Sequence, residues 1–196
     1  MTKTYTRLFL GREWLDIVYS RASNLPEYGF SHRKLQANYV GCIGEKVMTE
    51  FFQKHNIAFA DDRHLTSHDF SIGGKITLDV KTKDRTVLPK IHYDNSVPLY
   101  NHEHQRPNYY YFVSLLRDRN SAESDIYRFK EAFILGGIDI QRLDKIGKKW
   151  GAGETDPTNG TKFWTACINV GMDDLIPNNE MISVLKSGRR LSRPLS

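Results

Sequence analysis

The chain has only two cysteines among its 196 residues, Cys42 and Cys167. They stand far apart in apolar surroundings. That excludes a disulfide-stapled scaffold and leaves both as reduced core thiols. There is no Cys-x-x-Cys pair, no phosphate-cradling glycine loop and no nucleophile elbow, so three common chemistries lose their local signatures. No run of about 18 apolar residues occurs, so no transmembrane helix is expected. The N-terminus lacks the apolar stretch of a signal peptide, which makes a cytoplasmic location the expectation. Internal repeats and low-complexity segments are missing as well.

What is present reads as one globular domain. Hydrophobic residues make up 39% and charged residues 26%, ordinary values for a folded soluble chain long enough to bury a core. The expected domain spans residues 1–186, with a core at about 35–116 and a sheet extension at about 126–185. Beyond it, a basic tail at 187–196 is predicted to be disordered. The formal net charge of +5 permits a polyanionic partner without demanding one.

The most informative stretch is residues 67–83, which reads as a β-hairpin. Gly73-Gly74 supplies the turn, because glycine accepts the positive φ that a type I′ turn asks of both central residues. The second arm alternates. Ile76, Leu78 and Val80 share one face, and Lys75, Thr77, Asp79, Lys81 and Lys83 share the other. Asp79 and Lys81 therefore stand side by side, roughly 7 Å apart at their Cα atoms. Asp69 lies on the first arm, across the turn. Two carboxylates and a lysine on one polar face suit hydrolysis of a phosphodiester. Carboxylates hold a hard cation such as Mg²⁺. The cation neutralises phosphate charge and lowers the pKa of a bound water. The lysine orients that water or stabilises the negative charge that develops. A solvent-facing strand with surface ion pairs would carry the same residues.

Helix 35–55 precedes the hairpin. Val40, Ile43, Val47, Met48, Phe51 and Phe52 fill its apolar arc, and Gly41 and Gly44 within the arc allow close approach to a sheet. Glu45 sits at the arc's edge. Together, Glu45, Asp69, Asp79 and Lys81 resemble the motif of the PD-(D/E)XK nuclease superfamily. That motif is an acid, a turn, then Asp or Glu, any residue and Lys, with a Glu on the preceding helix. The resemblance covers about residues 39–115 and departs at His68, where the motif has proline.

The resemblance implies an α/β fold, with a restriction-endonuclease-like αβββαβ core and a mixed sheet flanked by helices. It implies a Mg²⁺-dependent DNA nuclease, an endonuclease by expectation, in which Mn²⁺ can substitute. Asp69 and Asp79 would ligate the metal with the Val80 carbonyl. Glu45 would hold a second metal or a metal-bound water, and Lys81 would position the attacking water. Gln105, from the helix after the active strand, is expected near the metal or the substrate phosphate, where its amide can donate one hydrogen bond and accept another. Standalone nucleases of this size are frequent in bacteriophages, so the expected compartment is the host cytoplasm. A homodimer would suit double-strand cleavage, and RNA remains open as a substrate.

The remaining elements are placed around this core. A first helix is predicted at 8–21, a short strand at 57–61 and a buried central strand at 109–116. A short helix from Val97 to Gln105 is expected after Asn95-Ser96 as N-cap, with Pro98 in its first turn. Strands are predicted at 126–129, 133–135 and 163–170, and a helix capped by Asp139 running to about 149. Residues 175–185 have no clear assignment. Lys83, Arg85 and Lys90 leave the active strand as a basic run that could track a nucleic-acid backbone. Arg189, Arg190 and Arg193 in the tail could add to it. His92, His102 and His104 read as surface residues. On a helix His102 and His104 lie about 200° apart and cannot share a metal. Two rivals to the enzyme are a non-catalytic nucleic-acid-binding module and a structural assembly protein of the same fold.

Overall fold

The computed structural model describes residues 5–26, 35–122 and 125–188. In chain order the first elements are β1 (Thr6–Phe9), α1 (Arg12–Ala22), α2 (Leu35–Lys54), β2 (Phe59–Asp61), β3 (Phe70–Ile72), β4 (Ile76–Arg85), β5 (Asp94–Pro98) and α3 (Leu99–His104). There follow β6 (Tyr109–Arg117), β7 (Phe129–Asp139), α4 (Ile140–Ile146), β8 (Lys148–Trp150), β9 (Cys167–Gly171) and α5 (Asn178–Ser187). The basic tail from residue 189 onward lies outside the described residues, as does most of the stretch between α1 and α2.

The protein is mixed α/β. Six strands form one sheet in the order β1-β7-β6-β4-β3-β2. Only β4 and β6 run parallel; their register pairs Asp79 with Tyr110 and Lys81 with Phe112. β6 is buried along most of its length, as its run of Tyr109, Tyr110, Tyr111, Phe112 and Val113 demands of a central strand. A second sheet of three strands has the order β5-β9-β8.

Alternation sorts the large sheet's two faces into two cores. Ile76, Leu78, Tyr109, Tyr111, Ala132 and Ile134 pack with the apolar arc of α2 and with α5. Tyr110, Phe112, Phe133 and Leu135 face the other way and pack with Val97 of β5, Leu143 of α4 and Ile168 of β9. The large sheet thus has helices on one face and the small sheet with α3 and α4 on the other.

Several expectations change. Leu8 belongs to a strand, not to the first helix, because residues 6–9 pair with β7 and Gly11 then opens α1. β8 and β9 do not extend the main sheet; they form the second one. The strands foreseen at 126–129 and 133–135 resolve into a 3₁₀ turn and one long β7. β7 passes through Gly136 as a bulge, with φ 135° and a register shift opposite Phe112/Val113. Asp139 does cap α4, accepting from Arg142 N–H at 2.9 Å, but that helix ends at Ile146. Residues 94–98 are a strand paired with β9, so Ser96 faces Asn169 and is no N-cap. Helix α3 is correspondingly shorter and starts after Pro98.

Candidate active site

The hairpin forms through the glycine pair. Gly73 and Gly74 have φ of 57° and 64°, and Lys75 N–H donates to the Ile72 carbonyl at 3.2 Å. Phe70 faces Leu78, and Asp69 N–H donates to the Leu78 carbonyl at 2.9 Å. Asp69 thereby stands just beyond the end of β3, beside the middle of β4. One Asp69 carboxylate oxygen accepts from Val80 N–H at 2.7 Å. An extended residue points its N–H and C=O to the same strand edge, so the Val80 carbonyl also leaves β4 on the side where Asp69 lies.

Asp79 and Lys81 share the opposite face from Leu78, as alternation requires. That face is no open surface here. Asp79 is 3% exposed, and the Lys81 ammonium stands 2.6 Å from Asp79 Oδ2 and 5.8 Å from the centre of the Tyr110 ring. Tyr110 is the register partner of Asp79 on β6, so its ring floors the site. Gln105 closes the other side. Its Oε1 accepts from Lys81 Nζ at 3.3 Å and from Asn101 Nδ2 at 3.1 Å, while its Nε2 donates to the Thr66 carbonyl at 2.7 Å. Gln105 is therefore a strut between α3, the active strand and the loop before β3.

Glu45 approaches from the other face, on α2. The helix comes close because Gly44 lies against Thr82 of β4; a Cβ built on Gly44 would sit 1.8 Å from Thr82 Oγ1. Gly41, by contrast, meets nothing. Glu45 Oε2 pairs with Arg21 at 3.3 Å and Arg63 at 3.5 Å. Arg63 also clamps Asp61. The structure thus brings Asp69, Asp79, Lys81, Val80 and Gln105 together and holds Glu45 behind Asp69, engaged with two arginines.

The electrostatics follow from burial. Burial pushes Asp69 up to about 8, reinforced by the neighbouring charges of Asp79 and Glu45 and opposed by Val80 N–H and Lys81. Asp79 is raised by burial and pulled back by Lys81. Burial also raises Glu45, against the pull of Arg21 and Arg63. Each of Asp79 and Glu45 has its own cation. Asp69 has a backbone N–H and no direct ion pair among the described residues. Asp69 is therefore the one carboxylate of the three without an ion-pair partner among the described residues, at a place where an uncompensated charge is costly.

That imbalance is the test of fit for a divalent cation. Asp79 Oδ2 is buried and takes no hydrogen bond of regular geometry, only the close approach of Lys81. Asp69, Asp79 and the Val80 carbonyl offer the hard oxygen donors that Mg²⁺ prefers. Among the described residues, however, no three His, Cys, Asp or Glu side chains converge as a ready metal cage. The donor set fits a cation held by two carboxylates and completed by a carbonyl and water.

The basic run behaves differently from an open track. Arg85 donates to the Asp94 carbonyl at 2.7 Å and lies over Tyr93, pinning the second sheet to β4. Lys83 is partly buried, and Lys90 is exposed in the following loop. His102 is not a surface residue: it is 5% exposed, with Asp144 at 2.6 Å and Tyr110 OH at 3.2 Å. Arg106 completes that cluster on Asp144 at 2.5 Å. Tyr110 OH donates to the Gln105 carbonyl at 3.0 Å, so the cluster backs the Gln105 strut. His68 bridges Asp62 at 3.1 Å and Ser71 at 3.0 Å. Arg21, Arg63 and His102 are participants that local pattern could not reveal, since the carboxylates they serve, Glu45 and Asp144, lie at least 18 residues from them in sequence. No protein-family model matches the chain, and no curated protein matches it.

Proposed function

We propose that this chain is a metal-dependent DNA nuclease of the PD-(D/E)XK kind, hydrolysing phosphodiester bonds as an endonuclease. The observation that carries the reading is the buried Asp79–Lys81 pair at 2.6 Å with Asp69 beside it on Val80 N–H. Support also comes from the element order α2-β2-β3-β4-β5-α3-β6, in which β5 pairs in the second sheet and β4 and β6 run parallel in the first. Asp69, Asp79 and the Val80 carbonyl would hold Mg²⁺, with Mn²⁺ able to substitute. When bound, the ion supplies charge neutralisation at the phosphate and a lower pKa for a coordinated water. Lys81 orients the attacking water and meets the charge that builds on the phosphate. Gln105 fixes the Lys81 ammonium by accepting a hydrogen bond from it. Glu45, clamped by Arg21 and Arg63, sets the potential at Asp69 from behind. No covalent enzyme intermediate is needed.

One rival is a nucleic-acid-binding module of the same architecture. A direct experiment separates them. The protein is incubated with supercoiled, linear and single-stranded DNA in Mg²⁺, Mn²⁺ or EDTA, and Mg²⁺ binding is followed by calorimetry. The nuclease cuts in Mg²⁺ or Mn²⁺ and binds Mg²⁺ in the millimolar range or tighter. Bound but intact DNA, with no heat of Mg²⁺ binding, would leave the binding module.

A further inference from the structure

The second sheet ends in a feature the hydrolytic site does not use. Between β8 and β9 the chain makes a long excursion that is tightly built. Gly153 N–H donates to the Phe163 carbonyl at 2.7 Å, and Phe163 N–H donates to the Glu154 carbonyl at 2.8 Å. Phe163 is buried and stacks on Trp150 at 4.7 Å. Asp156 accepts from Thr158 N–H at 2.9 Å, from its hydroxyl at 2.7 Å and from Asn159 at 2.9 Å. With Phe163 locked inside, the next residue, Trp164, is held outside and is 69% exposed.

This tryptophan lies beside the helix that reaches the candidate site. Leu99 N–H, at the start of α3, donates to the Ala166 carbonyl at 2.9 Å. The following residue on α3, Tyr100, is 72% exposed. Tyr100 and Gln105 are five residues apart, about 7.5 Å along a helix axis, so α3 joins the exposed ring to the Lys81 strut. Each ring has a polar neighbour. Lys162 Nζ lies 5.1 Å from the Trp164 ring, and the His104 ring lies 4.8 Å from that of Tyr100. Lys148 and Lys149 on β8 are exposed as well. The nearby acid Glu154 accepts from Gly151 N–H at 2.7 Å in its own turn.

We propose that Trp164 and Tyr100 form a stacking ledge for an unpaired DNA strand, so that the substrate presented to the site carries single-stranded nucleotides. The inference rests on the nuclease reading and narrows its substrate class. A base has a free face for an aromatic ring only when it is out of a duplex stack, and stacking on such a ring then adds affinity whatever the base. Lys162 beside the Trp164 ring meets a phosphate of the same strand. A duplex offers the phosphates but not the faces, so the ledge adds affinity only for unpaired DNA.

The test measures fluorescence anisotropy of labelled oligodeoxythymidine, and of a duplex of equal length, in EDTA. The proteins are the full chain, Trp164→Ala, Tyr100→Ala and Trp164→Phe, with melting temperatures recorded alongside. Wild type should prefer the single strand. Either alanine variant should weaken that binding at least tenfold with duplex affinity changed less than twofold, and Trp164→Phe should retain most of it. Equal affinity of wild type for both forms, or unchanged single-strand binding in Trp164→Ala, overturns the ledge. The two readings fail separately. Metal-dependent cleavage with an inert ledge removes only this inference. Ledge-dependent binding by a protein that cuts nothing removes only the nuclease.

Discussion

At the residue scale, the site is a problem in charge balance. Asp69 is the carboxylate without its own cation, and its raised pKa has consequences that can be measured. Folded Asp69 titrates near 8 against an ordinary 3.8, so the metal-free fold holds a proton that the unfolded chain has lost in between. Stability contributed by this group is therefore present below about pH 4 and falls as pH rises toward 8. Asp69→Asn keeps an acceptor for Val80 N–H and removes the titration. Metal-free melting temperatures of the two proteins should diverge in favour of the variant as pH rises from 4 to 8. Mg²⁺ should raise the wild-type melting temperature increasingly over the same window and leave the variant unmoved. A constant difference across the window would take Asp69 out of the charge problem.

Gln105 is the other residue-scale case. It touches Lys81, not solvent alone, and the Tyr110–His102–Asp144 cluster supports its backbone. Gln105→Ala should cut kcat at least tenfold, about 1.4 kcal/mol of transition-state stabilisation, with KM little changed. Its partial exposure means little loss of melting temperature. Wild-type kcat in this variant would return Gln105 to a purely structural role.

At the element scale, the close packing of α2 on β4 sets where Glu45 stands. Alanine at an ordinary helical glycine would help by up to about 1 kcal/mol. At Gly44 the added Cβ lies 1.8 Å from Thr82 Oγ1, 2.9 Å from its Cβ and 3.1 Å from its Cγ2, so no rotation of Thr82 clears it. Gly44→Ala should therefore destabilise by about 1–3 kcal/mol, as overpacking does. Adding Thr82→Ala should recover part of the loss in a denaturant melt. An unchanged or raised midpoint in Gly44→Ala would mean that α2 does not approach β4 this closely.

The same scale explains what the sequence could and could not disclose. The hairpin was legible because its signals are local: a glycine pair, strict alternation and a polar face. The apolar arc of α2 and the aromatic run of β6 were legible for the same reason. β5 was not. Asn95-Ser96 before Pro98 is a good helix start locally, and only pairing with β9, some 70 residues on, makes it a strand. β1 was missed likewise, since its partner β7 lies more than 120 residues further along the chain. At the site, Asp69, Asp79 and Lys81 came from spacing, whereas the arginine clamp on Glu45 and the buried His102 depend on tertiary contacts.

At the scale of the whole molecule, one sheet carries two different coats. Helices α2 and α5 cover one face. The small sheet with α3 and α4 covers the other, the face on which Asp79 and Lys81 lie, with Lys81 reaching Gln105 at the end of α3 and so marking its margin. None of the helices described is long and apolar enough to cross a membrane. A net charge of +5 suits a polyanion approaching that margin, and its affinity should fall with added salt. Measured binding of duplex DNA that is indifferent to salt would deny the margin an electrostatic role.

The most direct measurement is single-turnover cleavage of DNA by wild type and Lys81→Ala, each with Mg²⁺ and with EDTA, under conditions where both proteins are folded and fully bound. A nuclease centre at Asp69, Asp79 and Lys81 gives cleavage in Mg²⁺ that stops in EDTA, and a loss on the order of 10²–10³ in rate when Lys81 is removed. Equal rates for the two proteins, or no cleavage by either metal-loaded protein, would contradict it.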